Sequence, residues 1–339
     1  MSNVRSFANP FEIVDRTNDI NLIPNTWGLI NELGIFVEES VAQNTITFES
    51  TAGTLALIPD QIRGARNNVN KDDNRIIKAF SLTHHPLDDY ITPQDIQGKR
   101  AYGQPNAAET LAAVRGRKLE RIRMSHAWTL EAARCQALTA GTVYAPNGTV
   151  SVNWFTSFGV TQKVVDFALQ TSTTNVLAKI EEVIAHQQDN LGNGGQMTGV
   201  VALCSPEFFG KLIAHDSVKA AYQFYASTQE PLRQRLGGAN TMYREFQHGG
   251  MRFVEYRGQY NGSRLIPAGD AVFVPMGVSD LFVTYFSPAN KFDFVNTMGE
   301  EAYAFEYTDP KGEKIEIQTE SNFINVLRRP AGVVRGYTA

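Results

Sequence analysis

Two histidines and two aspartates lie close together in this sequence and could hold a metal ion. Residues 84–89 are His-His-Pro-Leu-Asp-Asp, and imidazole and carboxylate groups are ligands that suit zinc or iron. The alternative is a solvated polar turn after a strand, which we favour because the spacing around Pro86 matches no established ligand pattern. A metal-dependent α/β enzyme that uses His84, His85, Asp88 and Asp89 is therefore kept only as a minor hypothesis.

Other residues with reactive side chains occur alone. His126 has no second histidine or cysteine four residues away, which favours a packed side chain over a metal ligand. Cys204 ends an apolar run just before a helix start, where the helix dipole would stabilise a thiolate, but apolar burial is the favoured interpretation. The glycine-rich residues 192–195 follow a predicted helix and precede a strand, the reverse of the order in a dinucleotide-binding motif. We therefore predict no catalytic site and no cofactor.

The composition is that of a globular protein and excludes several functional classes. The 339 residues are 42% hydrophobic and 19% charged, which excludes a wholly disordered chain and allows about two domains. The 31 basic and 35 acidic residues give a net charge of −4, so tight nucleic-acid binding is not expected. Two cysteines cannot build a disulfide framework. The sequence predicts a soluble protein made inside the cell, because it shows neither a membrane-spanning run nor a secretory signal.

A long polar connection separates two predicted strands in the N-terminal quarter. Residues 44–58 are rich in β-branched side chains and alternate as strands do, and a second such run covers 74–83. Connections as long as 59–73 are uncommon inside compact domains and usually serve a purpose outside the core. We expect an extended hairpin whose tip, 59–73, is mobile before a neighbouring chain binds and ordered afterwards.

Residues 107–140 predict a helix of unusual length. A start signal at Pro105-Asn106 and a stop at Gly141 leave room for about thirty residues, which would span roughly 45–50 Å. The apolar residues that share one face with His126, and should meet the core of the subunit, are Leu119, Ile122, Leu130 and Ala133.

A row of basic residues follows the same helix beside a single acid, Glu120. Its members are Arg115, Arg117, Lys118, Arg121 and Arg123. Such a row could contact phosphate, but a solvated face or pairing with acidic residues of a neighbouring chain is the favoured interpretation.

The remainder of the chain alternates between helices and strands and ends in a β-ribbon. A hairpin with an Asn-Gly turn is expected over 142–152. Helices are predicted at 175–190, 208–215 and 217–225, and strands at 198–204, 251–256 and 271–275. Residues 303–317 predict a two-stranded ribbon around the turn 309–312.

The order of these parts resembles the tailed-phage major capsid proteins of the Hong Kong 97 fold. Within that group the chain is most similar to the lambda-like, E-type major capsid family. The stretches that carry this likeness are Met-Arg-Phe-Val-Glu-Tyr-Arg-Gly-Gln-Tyr at 251–260, Ile266-Pro267, Ala-Val-Phe-Val-Pro at 271–275, residues 281–290 with Tyr-Phe-Ser-Pro-Ala, Glu320-Ser321 and Leu-Arg-Arg-Pro at 327–330.

The resemblance implies an α+β fold with a particular domain organisation. The expected parts are an N-terminal arm (1–34), an E-loop region with an extended hairpin (35–90), a P-domain with the spine helix and β-ribbons (91–160 and 290–330), an α/β A-domain (161–289) and a C-terminal tail (331–339).

The resemblance also implies a structural function. We expect a major capsid protein that self-assembles into hexamers and pentamers of an icosahedral virion shell around double-stranded DNA, made and assembled in the cytoplasm of a host bacterium. Its expected partners are further copies of itself, a portal protein, a scaffold, a decoration protein in some cases, and packaged DNA without sequence-specific binding, but no membrane. An encapsulin-like nanocompartment shell is the alternative with the same fold. The candidate inter-subunit contacts are Arg63, Arg66, Lys71, Arg115, Lys118 and Arg121.

Overall fold

Two six-stranded sheets, small hairpins and one long helix make up the described part of the chain. The computed structural model describes residues 14–22, 28–51, 75–99, 109–191, 197–219, 221–223, 243–260, 262–278 and 280–338. The strands are β1 (Val14–Asp15), β2 (Val37–Ser40), β3 (Thr45–Thr51), β4 (Arg75–Ser81), β5 (Thr83–Ile91), β6 (Val164–Asp166), β7 (Gly199–Cys204), β8 (Glu245–His248), β9 (Met251–Glu255), β10 (Gln259–Tyr260), β11 (Ser263–Arg264), β12 (Asp270–Met276), β13 (Phe282–Phe286), β14 (Tyr303–Thr308), β15 (Ile315–Leu327) and β16 (Val334–Tyr337). The helices are α1 (Thr17–Asn21), α2 (Leu29–Glu32), α3 (Leu111–Ala140), α4 (Trp154–Phe158), α5 (Val176–Asn190) and α6 (Pro206–Ala214).

Strand β15 organises the first sheet. Its 13 residues pair antiparallel with β14 and β13 along one edge and with β5 along the other. Strand β1 extends the sheet beyond β14, and β2 runs parallel to β13 at the opposite end. The predicted ribbon is confirmed, because β14 and β15 pair around a turn in which Gly312 donates to the carbonyl of Asp309. This sheet forms the surface on which α3 lies.

The second sheet has the order β6-β16-β12-β7-β9-β8. Strands β7 and β12 lie in its interior and are buried along nearly their whole length, as their unbroken apolar sequences predict. Helices α5 and α6 pack against this sheet around buried phenylalanines. The predicted helix 175–190 and strand 198–204 are confirmed, and so is the cap of α6, where the Ser205 hydroxyl accepts from the backbone N–H of Phe208.

Sheet membership does not follow two of the expected domain boundaries. The range 161–289 includes β13, yet β13 pairs with β15 and β2 and belongs to the first sheet. The range 331–339, expected to be a tail, contains β16, which lies inside the second sheet between β6 and β12. Both differences have one physical cause: strand pairing joins segments that are distant in sequence, and local patterns do not record it.

Helix α3 is long, as predicted, but begins later. It runs from Leu111 to Ala140, and the Thr110 hydroxyl caps it by accepting from the backbone N–H of Ala113 at 3.2 Å. The predicted start at 107 is therefore wrong, because the capping oxygen comes from Thr110. Gly141 ends the helix in the left-handed conformation (φ +67°), as expected. Among the described helices, none combines the length and hydropathy needed to cross a membrane.

The apolar face of α3 agrees with the prediction. Leu119, Ile122, Leu130 and Ala133 are all buried, and His126 is buried beside them. The helix thus lies against the first sheet with the expected face inward.

The two predicted hairpins have different outcomes. Strands β3 and β4 form a regular antiparallel pair from Thr45–Ser81 to Thr51–Arg75, which confirms the hairpin that brackets the polar connection. The hairpin expected over 142–152 is confirmed at its turn and at its antiparallel ends, but it does not form two regular strands. A single bridge joins Thr142 and Asn153, and the segment between them is a loop with a turn at Ala145–Gly148.

Some predictions fall on residues that lie outside the described ones. They are the arm before residue 14, the hairpin tip 59–73 with its three basic residues, the glycines of 192–195 and the end of the helix predicted at 217–225.

Candidate functional site: the contacts of the long helix

The histidine–aspartate segment lies on strand β5 and does not form a metal site. Successive side chains of a strand point to opposite faces, so His84 and Asp88 lie on one face and His85 and Asp89 on the other. On each face the histidine and the aspartate are four residues, or about 13 Å, apart, which is too far for them to share a metal ion. His84 Nδ1 lies 2.6 Å from Asn322 Oδ1, and Asp89 accepts from Lys118 at 2.9 Å. The described residues contain no group of three or more histidine, cysteine or acidic side chains that could hold a metal ion.

His85 is a packed side chain. Its ring stacks on Phe323, with 4.7 Å between the ring centroids, and Nε2 lies 2.9 Å from Thr83 Oγ1. Burial, and then the charge of His84, lowers the pKa of His85 to about 4. The predicted polar turn is also wrong, because the segment is a nine-residue strand that pairs along β15.

The basic row of α3 is paired mainly with acidic residues of its own chain. Arg115 donates to Glu306 at 2.7 Å, and Lys118 donates to Asp89 at 2.9 Å. Arg117 pairs with Glu109 at 3.1 Å, and Arg123, which is buried, pairs with Glu301. The expectation of a solvated face is therefore wrong for this part of the row, because strands β5 and β14 bring acids to it that lie far away in sequence.

Arg121 differs from its neighbours. It is exposed, and no described residue forms an ion pair with it. It borders a cavity of about 670 Å³, together with Trp128 and Tyr256. Of the three candidate contacts on α3, Arg115 and Lys118 pair with Glu306 and Asp89, whereas Arg121 has no acidic partner among the described residues.

A buried carboxylate joins α3 to two other parts of the chain. Glu131 accepts from the backbone N–H groups of Ile30 (3.0 Å) and Asn31 (3.4 Å) and from the Tyr256 hydroxyl (3.1 Å). Burial raises the pKa of Glu131 despite these hydrogen bonds. Gly28 approaches so closely that a Cβ there would lie 2.3 Å from the Glu131 carboxylate. Glu131 thereby ties helix α2 and the segment after β9 to the long helix.

One turn further along, Arg134 makes a second buried connection. Its guanidinium is almost completely buried and donates to Thr284 on β13 (3.2 Å), to Asn31 (2.5 Å) and to Glu38 on β2 (2.8 Å). His126 Nε2 lies 3.0 Å from Thr319 Oγ1 on β15. Burial first, and then the charges of Arg123 and His85, lowers the pKa of His126 to about 4.

These polar contacts were missed by reasoning from sequence. The available signal was the presence of Arg123, Glu131 and Arg134 on or next to the apolar stripe, since a charged residue is rarely buried without a partner. What the arrangement does chemically is to fix the helix in one position on the sheet.

The fold is that of Hong Kong 97-type phage capsid proteins. The capsid protein of Ralstonia phage GP4 superimposes with a TM-score of 0.53 at 12% identity, covering 100% of this chain and 99% of that one. The mature capsid protein of bacteriophage PhiM1 gives a TM-score of 0.52 at 14% identity, covering 90% of this chain and 85% of that one. At such identities the likeness shows the fold alone, and it confirms the predicted fold class.

Sequence comparison gives the family. The Phage major capsid protein E family matches residues 15–338. The major capsid protein of Pseudomonas phage KPP10 is 49% identical over 352 residues, with complete coverage of both chains. This chain belongs to the phage major capsid protein E family and is a structural capsid protein of the virion, not an enzyme. The predicted family and structural function are confirmed, and the nanocompartment and enzyme alternatives gain no support.

Proposed function

We propose that this protein forms hexamers and pentamers that close into an icosahedral shell around double-stranded phage DNA. The observation that carries the proposal is the full-length identity of 49% to a major capsid protein. Within that frame, the first sheet with α3 corresponds to the P-domain, the second sheet to the A-domain and the β3–β4 hairpin to the base of the E-loop. The boundaries follow the sheets, with β13 in the P-domain and β16 in the A-domain.

The β3–β4 hairpin supports a function in assembly. It forms a two-stranded sheet of its own and is not hydrogen-bonded to either large sheet. Isolated two-stranded hairpins are marginally stable in water. Contacts between aromatic rings hold its base, where Phe48 meets Tyr285 and Phe80 meets Trp154. Farther out, Ile77 is 64% exposed, so a neighbouring subunit that covers this side chain would bury apolar surface.

The proposal includes partners that act at particular stages. A portal and a scaffold would direct closure, a decoration protein would add to the finished shell, and the host cytoplasm would be the place of assembly. Packaged DNA would contact the inner surface without sequence preference, because a net charge of −4 gives the chain no general attraction to phosphate. Six basic residues are proposed as contacts between subunits. They are Arg115, Lys118 and Arg121 on α3, and Arg63, Arg66 and Lys71, which lie outside the described residues.

Electron microscopy and sedimentation of the purified protein test this function. We expect capsomers or shells when the protein is produced with its scaffold across a range of salt and protein concentrations. Monomers or dimers alone, under all of these conditions, would overturn the proposal. An additional density that occupies a cargo groove inside the shell, in place of DNA, would favour the nanocompartment alternative.

A further inference from the structure

A loop between β13 and β14 holds one phenylalanine almost completely in solvent. Phe292 is 99% exposed, and Val295 and Met298 on the same loop are 60% and 62% exposed. We define these three residues as the loop patch. Single exposed apolar residues are ordinary on protein surfaces, but a cluster of large ones on one short segment is typical of an interaction site.

The loop is fixed at its base by hydrogen bonds to the first sheet. The backbone N–H of Asn290 donates to Glu320 Oε1 at 2.7 Å. Lys291 Nζ donates to the Tyr307 hydroxyl (2.7 Å) and to Gln318 Oε1 (2.9 Å), and it also lies over the rings of Phe305 and Tyr307. A cation with so many partners anchors the loop to β14 and β15.

The middle and end of the loop are fixed as well. Phe292–Phe294 form a single 3₁₀ turn, and the Phe294 ring packs edge-on against Tyr303 and Phe305 at 5.2 and 5.5 Å. The backbone N–H of Gly299 donates to Val41 at 3.1 Å. Gly299 has no room for a side chain, since a Cβ would lie 2.2 Å from the Phe286 carbonyl. Phe292 is therefore exposed because the loop holds it there, and binding would cost little ordering of the backbone.

An open groove of about 810 Å³ lies beside Phe292, between residues 42–45 and 288–296. Residues 42–45 lead directly into β3, so the groove lies at the base of the hairpin. The loop patch thus combines a protruding aromatic side chain with an adjoining cleft, the pairing of features that marks the centres of protein interfaces.

We infer that the loop patch is a contact between two copies of this chain, with Phe292 of one copy buried against the other. The inference rests on the proposed function, since copies meet in a shell. The size of the patch favours a second copy over an unrelated protein. Three side chains cover only a few hundred Å², well below the roughly 1,200 Å² of a stable independent complex. So small a patch contributes most where other contacts already hold the partner in place, as between subunits of one shell.

Substitution at Phe292 gives the first test. The variant Phe292→Ser removes the apolar side chain, and Phe292→Leu keeps one. We expect both to unfold at the same denaturant concentration as the parent protein, because the side chain makes no packing contact. Phe292→Ser should lower the yield of shells at fixed protein concentration by about tenfold or more, whereas Phe292→Leu should restore most of it. Assembly of Phe292→Ser at the parental level would overturn the inference.

Covalent capture identifies the partner. Shells of the unsubstituted protein are first obtained by electron microscopy, which establishes the proposed function independently of this surface. Phe292 is then replaced with p-benzoylphenylalanine, which preserves an aromatic side chain, and the shells are irradiated. A covalent dimer of this chain, with the cross-linked peptide identified by mass spectrometry, is the expected product. Cross-linking only to the scaffold or another protein, or only within one chain, would overturn the inference, and so would its absence.

Discussion

The core of the second sheet and the contact between α3 and the first sheet are both buried, but they are built from different chemistry. Around the second sheet, Phe167, Phe208, Phe253 and Phe273 are almost completely buried, and the Phe167 and Phe273 rings stack with their centroids 5.2 Å apart. Beneath α3, the buried side chains include Arg123, Glu131 and Arg134. One region is a conventional apolar core, whereas the other contains charges that each need a specific partner.

The two regions therefore contribute different properties to the subunit: the apolar core contributes stability, and the polar contacts of α3 fix the orientation of its parts. An apolar core gains stability from the area it buries and tolerates small shifts of its parts. Buried hydrogen bonds to charged groups tolerate much less, because a misplaced partner leaves a group unsatisfied. We interpret the second sheet as the cohesive unit and the polar contacts of α3 as the element that sets the angle between the helix, α2 and the first sheet. A shell protein needs both, since a small error in orientation within a subunit is repeated in every copy.

The largest effect is expected from truncation in the apolar core. Phe273→Ala removes a completely buried ring that touches Phe167 and Phe253. We expect a loss of about 3–5 kcal/mol in the free energy of unfolding, measured by chemical denaturation of the unassembled protein. Phe292→Ala is the matched control, because it removes the same atoms from a ring that is 99% exposed, and should change stability by no more than about 0.5 kcal/mol. Equal losses in the two variants would contradict the assignment of the core.

Truncation of a buried side chain beneath α3 should lower the free energy of unfolding somewhat less. Leu130 packs in a small cluster with Ala133, Phe286 and Phe323. Leu130→Ala is expected to lower the free energy of unfolding by roughly 2–5 kcal/mol. Met124, on the same helix, is 40% exposed, and Met124→Ala should be nearly silent. A silent Leu130→Ala together with a costly Met124→Ala would show that the burial assigned to the two faces of the helix is reversed.

His126 should give the helix contact a pH dependence of its own. Burial lowers the pKa of His126 from an ordinary value of 6.5 to about 4 in the folded protein. Between those values the unfolded chain binds the proton more readily, so the contribution of His126 to stability is complete above pH 6.5 and is lost as the pH falls towards 4. The loss approaches about 3 kcal/mol at the acid end. His126→Gln should flatten the dependence of the unfolding free energy on pH in this range, and an unchanged slope would refute the assignment.

The smallest effect on folding is expected at Arg121. Because Arg121 is exposed and no described residue pairs with it, Arg121→Glu should change the free energy of unfolding by no more than about 0.5 kcal/mol, while light scattering shows impaired assembly. Arg115→Glu is the contrasting variant. It places a carboxylate beside the buried Glu306 carboxylate, which Arg115 now contacts at 2.7 Å, and should lower the melting temperature of the monomer. Unfolding by Arg121→Glu would remove it from the candidate subunit contacts.

Local patterns in the sequence were sufficient for elements that are stabilised locally. The alternation in β3 and β4 predicted the hairpin, the stripe of Leu119, Ile122 and Leu130 predicted the inward face of α3, and Gly141 predicted its end. In each case the deciding physics, side-chain periodicity or a left-handed glycine, acts within a few residues. The same is true of the cap at Ser205.

Features that depend on distant partners could not be predicted in this way. The basic row was expected to face solvent or another chain, because the partners of Arg115 and Arg123 lie 191 and 178 residues away in sequence. Residue type also fails to predict exposure at the loop patch, where Phe292 is exposed and Phe294, two positions later, packs on Tyr303. Which phenylalanine packs against the protein depends on where β14 lies, and β14 is positioned by the sheet.

The position of β16 has a consequence for the order of events during synthesis. Residues 334–337 fill the gap between β6 and β12, so β6 has no neighbour in its sheet until they arrive. A ribosome that has translated α5, β7 and β12 has therefore produced most of the second sheet but cannot close it. We expect a stalled nascent chain ending before residue 334 to remain sensitive to protease, and one with 334–337 outside the exit tunnel to become resistant. Completion of this sheet would thus wait for residues 334–337 to leave the ribosome, after β12 has already been made.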